Sequence, residues 1–326
     1  MEQILSLAGQ NLLSPVILFF VLGVAASLAR SDLTFPEAIA KGMSLYLLFA
    51  IGFKGGASVA QHGADISLGL AVLAGVVLSF VLPFVAFVLL RALARGVSTI
   101  DAAAVAGHYG SISIVTFVAA TSLLTAGGIV HEGYMVAVAA AMEAPAIVSA
   151  LWLATRGGAG GRMDGDLWRE ILLNGSIVLL LGAFAIGWIT GERGMNEIAP
   201  FIVAPFKGVL CLFLLDMGIV AGRELRAAGR IVTPGVVAFG LTMPLVGAGF
   251  GLAAALLLGL SAGGVAVMMT LSASASYIAV PAAMRVALPK ANPALYLTLA
   301  LGITFPFNLT LGIPLYMAVA QTLTGG

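Results

Sequence analysis

Charge is what this sequence has least of. Asp, Glu, Lys and Arg make up 9% of its 326 residues, against roughly 25% in a soluble globular domain. With 61% hydrophobic residues and a mean hydropathy of +1.12, that shortage excludes a soluble enzyme. It identifies a protein embedded almost wholly in a lipid bilayer. The few charges nearly cancel, to a net +1, and no nucleic-acid partner is expected. Cysteine is almost absent too. Cys211 stands alone inside an apolar run, so no disulfide can form within the chain and a buried structural thiol is expected. The opening Met1-Glu2-Gln3 lacks the positive region of a signal peptide, so the run from Leu13 to Ala29 reads as a retained first helix. There is no metal-ligand cluster, His-Glu-x-x-His motif, Walker A motif or G-x-G-x-x-G fingerprint. That speaks against an ATP-driven pump or a redox enzyme, and no cofactor is expected.

What the chain does have is apolar runs of membrane-spanning length, roughly 20 residues each. They fall near 13–29, 39–56, 66–90, 101–121 and 133–154, then near 171–189, 200–221, 231–259, 262–285 and 293–321. Of the 15 Lys and Arg residues, all but Lys54, Arg193 and Lys207 lie in the odd-numbered loops. The positive-inside rule makes those loops cytoplasmic and puts both termini outside, in a multi-pass protein of the cell's inner (plasma) membrane. The organisation expected is a first five-helix repeat over residues 1–155, a cytoplasmic linker over 156–170 and a second repeat over 171–326.

The halves match internally. Lys41-Gly42 with Gly52 and Gly56 corresponds to Lys207-Gly208 with Gly218 and Gly222 at a spacing of 166. Ser111, Ser113, Ala119 and Ala120 correspond to Ser274, Ser276, Ala282 and Ala283 at 163, and Tyr134 to Tyr296 at 162. Five spans per copy is an odd number, so the second copy enters the membrane from the opposite side. The expected fold is therefore an all-α polytopic membrane protein, with ten transmembrane helices in two inverted five-helix repeats.

Two matched interruptions break the fourth and ninth spans: Gly107-His108-Tyr109-Gly110-Ser111-Ile112-Ser113 and Ser272-Ala273-Ser274-Ala275-Ser276-Tyr277. Polar, Gly- and Ser-rich backbone at membrane depth is tolerated only inside protein or along a cavity. Paired breaks in two halves point to a transporter's binding site. Each following half-helix presents free N–H donors at its positive end, which suits an anion. The hydroxyls and unwound carbonyls equally suit a hard cation such as sodium. The alternative is that small residues merely let helices pack closely, as Gly247-x-x-x-Gly251 is expected to do. Pro281 would free the carbonyl of Tyr277 if the segment is helical there.

Helices five and ten carry a second matched pair, Met142-Glu143-Ala144-Pro145 and Thr304-Phe305-Pro306-Phe307-Asn308. An ionisable group such as Glu143 costs at least about 2.5 kcal/mol at the bilayer centre, which makes it functional by default or else paired with a backbone N–H or His108. The expected anion site is Gly110, Ser111, Ser113, Ser274, Ser276 and Tyr277. The expected cation site is Thr116, Glu143, Thr304 and Asn308. His108 is read as a hydrogen-bonding core residue or a relay. Lys54 is expected to snorkel to the outer interface, and Asp216, nearer the midplane, either faces a cavity or packs locally. His62 and His131 fall in short outer loops.

Gly52-Phe53-Lys54-Gly55-Gly56, Gly110-Ser111-Ile112-Ser113, Met142-Glu143-Ala144-Pro145, Arg285 with Leu288-Pro289, Ala291-Asn292-Pro293 and Gly312-Ile313-Pro314-Leu315-Tyr316 together resemble the sodium-dependent bicarbonate transporter family. The resemblance covers nearly the whole chain. It implies ten helices in two inverted repeats, a core domain moving against a gate domain, a homotrimer, and uptake of bicarbonate with sodium as the coupling ion. It also implies a small PII-like protein as a cytoplasmic regulator. Tyr277 departs from the family pattern, in which an aspartate follows a serine run. The residues themselves leave open proton coupling through Glu143, another small or organic anion, and a passive anion channel or membrane sensor. An intramembrane enzyme is disfavoured, because Glu143 and His108 do not make a nucleophile, base and oxyanion set.

Overall fold

The computed structural model describes residues 13–62, 66–156, 169, 173, 175–227, 229 and 232–325. The expected linker over 156–170 lies almost wholly outside the described residues. Helices form on each apolar run: α1 Pro15–Leu28, α2 Glu37–His62, α3 Ile66–Leu93, α4 Thr99–Gly110, α5 Ile114–Ala126, α6 Met135–Ala141 and α7 Glu143–Arg156 in the first half. The second half holds α8 Gly175–Ile202, α9 Phe206–Ala227, α10 Pro234–Leu257, α11 Ala262–Ala273, α12 Ala279–Ala287 and a long composite α13 over Pro293–Thr324. Among the described residues there is no strand, and seven helical segments are long and apolar enough to cross a membrane. The chain is thus a multi-pass, all-helical membrane protein.

Sequence fixes where helices begin. Ser14-Pro15, Thr233-Pro234 and Asn292-Pro293 each place a capping side chain before a proline at the first helical position, where the missing N–H costs nothing. Ser98 and Ser261 cap α4 and α11 in the same way. Matched glycines sit at close helix contacts. A Cβ on Gly52 would lie 3.0 Å from Ala183 Cβ of α8, and one on Gly218 would lie 3.0 Å from Val24 N of α1. Accordingly α2 packs on α8 and α1 packs on α9.

The other helices form a second group. α3 packs on α4 and α7, while α10 packs on α11, and α3 and α10 touch each other. Two carboxylates tie the starts of the broken spans to the opposite half. Asn292 N–H donates to Asp101 Oδ1 of α4 at 2.7 Å, and Ser261 N–H, just before α11, donates to Glu132 Oε1 at 2.7 Å. Gly247 and Gly251 of α10 both abut the α11 backbone, with a Cβ on Gly251 falling 2.6 Å from Met268 O. The close packing expected of this pair is what the structure shows.

Candidate functional site

Both interruptions are present. α4 stops at Gly110, Ser111 and Ser113 are extended, and α5 restarts at Ile114. α11 stops at Ala273, Ser274 is extended, and α12 restarts at Ala279. Gly110 is required by close approach, because a Cβ there would lie 2.8 Å from Ser79 O and would run into the Pro83 ring of α3. Tyr277 precedes the α12 helix, so Pro281 does not free its carbonyl in the way an unbroken helix would.

The two breaks cross. α4 lies against α12 and α5 against α11, and hydrogen bonds join the unwound segments directly. Ser113 N–H donates to Ser274 Oγ at 2.9 Å, and Ser276 N–H donates to His108 O at 2.8 Å. The Ser274 hydroxyl in turn donates to Leu271 O at 2.8 Å. All ten residues expected at the anion and cation sites are buried. A small cavity of about 10 Å³, room for about one water, is lined by Ser113, Glu143, Ser276 and Tyr277 among others. The structure therefore brings Glu143, read from sequence as a cation ligand, to the serines and tyrosine read as anion ligands.

Several buried polar atoms here have no hydrogen-bond partner: Ser111 Oγ, Thr116 Oγ1, Glu143 Oε2, Ser272 Oγ and the Tyr277 hydroxyl. The last lies beside Ser113 without meeting hydrogen-bond geometry. Native interiors leave few such groups, and two of them, Glu143 Oε2 and the Tyr277 hydroxyl, belong to residues that line the small cavity at the crossing. Glu143 has no cationic partner: among the described residues the one ion pair is the exposed Arg193–Glu197.

Thr304 and Asn308 are placed differently. Thr304 Oγ1 donates to Gly240 O at 2.7 Å and so accepts from the Tyr109 hydroxyl at 2.5 Å. Asn308 Nδ2 donates to Ala273 O at 2.9 Å, and its Oδ1 accepts from the Tyr316 hydroxyl at 2.9 Å. Both brace the breaks from α13, whose π-helical stretches Thr298–Thr304 and Asn308–Gly312 flank Pro306. Such distortions are frequent at functional sites. His108 Nδ1 donates to Ala104 O at 2.7 Å and its ring stacks 4.4 Å from Tyr296, which suits the core reading, although Nε2 is unpartnered. Ser79 was not singled out from sequence. Its hydroxyl donates to Met142 O at 2.5 Å and accepts from Ala146 N–H at 3.2 Å, bridging the join of α6 and α7 beside Glu143. A serine at the middle of an apolar helix, four residues before Pro83, is the available signal.

Residues 15–321 match the Na⁺-dependent bicarbonate transporter superfamily. The chain belongs to that superfamily. The match spans both breaks and all the helices that brace them, and it agrees with the resemblance carried by the sequence motifs. A transporter family also agrees with the expectation that the chain is not an enzyme. Among curated proteins none matches it. In this superfamily member, Cys211 is a buried free thiol. Asp216 is buried on α9 and makes no ion pair with Lys54. Lys54 is half-buried, with its Nζ 4.2 Å from the centre of the Phe206 ring.

Proposed function

We propose that this protein is a secondary active transporter that couples sodium entry to uptake of a small anion, bicarbonate first, by alternating access. Ten spans in two inverted repeats are supported by packing that exchanges under the repeat. α1 on α9 has its counterpart in α8 on α2, and α3 on α4 has its counterpart in α10 on α11. The same pattern supports a core of spans three to five and eight to ten moving against a gate of spans one, two, six and seven. Ser113, Ser276, the Tyr277 hydroxyl and free N–H groups of the half-helices hold the anion, with Gly110, Ser111 and Ser274 shaping the break. Sodium sits at Glu143 with oxygens of the breaks, Thr116 among them, while Thr304 and Asn308 support the crossing. The inner-membrane location and outward termini read from the charge bias, and the homotrimer and PII-like cytoplasmic regulator implied by the resemblance, belong to the same reading.

The observation that carries the coupling is Glu143, a buried carboxylate facing both breaks with an unpartnered oxygen and, among the described residues, no ion pair. Such a charge is neutralised by a bound cation or by a proton. The superfamily's description favours sodium; the same carboxylate would serve a proton.

Labelled bicarbonate uptake into vesicles at varied sodium and pH separates these readings. Accumulation should follow the sodium gradient, and Glu143→Gln should lower it about 70-fold, the equivalent of ~2.5 kcal/mol. Uptake indifferent to sodium but driven by a pH gradient would transfer the coupling to protons. Uptake that only runs downhill would make the protein a channel.

A further inference from the structure

A larger cavity lies away from the crossing. It is a crevice of about 440 Å³ at the end of the molecule where α2, α5 and α8 finish and α9 begins, between the helix pairs of the gate and those of the core. Under the charge-bias orientation this is the outer face. Its wall carries Lys54 and Lys207 and, among the described residues, no carboxylate. These are two of the three basic residues that lie outside the cytoplasmic loops, and the repeat places Lys207 at the start of α9 rather than beside Lys54 on α2. The Lys54 ammonium lies 4.2 Å from the centre of the Phe206 ring, and both residues line the crevice. Glu132, next in sequence to the lining His131, does not itself line the crevice and accepts Ser261 N–H at 2.7 Å. Burial lowers the basicity of His131 while Glu132 works against that shift. Phe117 lines the crevice four residues beyond Ser113, about 6 Å along α5 from the first break.

We propose that this crevice is an anion-capture site. Lys54 and Lys207 concentrate a small oxyanion such as bicarbonate at the mouth of the path to the crossing. This rests on the anion-uptake reading for the identity of the solute, but the electrostatic claim can be tested without transport. A low-dielectric cleft lined by one sign of charge focuses its field and raises the local concentration of the opposite ion, and salt weakens that effect.

The test introduces a thiol at Ser122, a crevice residue, in a Cys211→Ser background of the full chain in vesicles. Labelling rates are compared for an anionic sulfonate and a cationic trimethylammonium thiosulfonate reagent of similar size. The anionic reagent should be favoured about 10-fold over its ratio on a free thiol. That preference should vanish in Lys54→Gln/Lys207→Gln, return in Lys54→Arg/Lys207→Arg, and shrink in high salt. Bicarbonate should slow the anionic reagent.

The half-saturating bicarbonate concentration for uptake should rise about 3- to 10-fold in the glutamine pair. A reagent preference that ignores the lysines, in protein that still takes up bicarbonate, would overturn the capture site and leave the transport reading standing. A lysine-dependent preference in protein that takes up no bicarbonate, with another small anion slowing the reagent, would uphold the capture site and overturn bicarbonate as the solute.

Discussion

The two breaks share a scaffold and differ at the start of the half-helix that follows. In the first, the Ser113 hydroxyl accepts Thr116 N–H at 3.2 Å, so α5 begins with its cap in place. In the second, Ile278 holds the capping position and offers no side-chain bond, and Ser276 reaches Val280 N–H only at 3.4 Å. The second break also carries Tyr277 with an unpartnered hydroxyl. A helix start that has not spent its donors is the better anion site. The repeat therefore supplies two frames: the first has its N-cap filled by its own serine, and the second has only the longer Ser276 contact. Glu143 lies against both, from α7.

The largest effect expected on this comparison comes from removing the brace of the second break. Asn308→Ala leaves the Ala273 carbonyl and the Tyr316 hydroxyl without their buried partners. Each orphaned group costs about 1–3 kcal/mol. The thermal midpoint of the purified protein should fall by several degrees. A midpoint unchanged by this substitution would mean that α13 does not hold the second break in place.

A smaller and more diagnostic effect separates the two serines. Ser113→Ala removes a cap worth about 1 kcal/mol, together with a side chain that lines the small cavity. Ser276→Ala removes a longer and weaker cap. Thermal stability should drop more for Ser113→Ala, and the half-saturating anion concentration should rise more for Ser276→Ala. If the two orders coincide, the difference in capping does not direct the anion, and the breaks act as equals.

Much of this geometry was legible in the chain. The breaks announce themselves because Gly and Ser crowd two stretches that are otherwise apolar, and Glu143 because a carboxylate has no ordinary reason to lie within a span. What was not legible is who bonds to whom. Thr304 and Asn308 look like ion ligands when read locally, since both are polar and flank Pro306. Their partners Tyr109, Gly240 and Ala273 lie 195, 64 and 35 positions away, so only the fold reveals that these side chains also brace the breaks. Lys54 is a similar case. On its own helix it reads as a snorkelling lysine, and only the packing of α9 places the Phe206 ring beside it in a crevice.

Tyr277→Phe is the gentlest way to sharpen the contrast between the breaks. The hydroxyl makes no hydrogen bond in the folded protein, while its ring packs edge-on against Phe305 at 5.4 Å, a contact that phenylalanine retains. Stability should stay within about 0.5 kcal/mol, as for a substitution that breaks no interaction. A hydroxyl that donates to the bound anion would cost about 1–2 kcal/mol of affinity when removed, or about 5- to 30-fold in half-saturating concentration. Uptake kinetics and a thermal melt on the same preparation distinguish the outcomes. Weaker affinity at unchanged stability assigns the second break to the anion. Unchanged affinity returns the anion to the first break, where Ser111 Oγ and Thr116 Oγ1 are the unpartnered hydroxyls that remain.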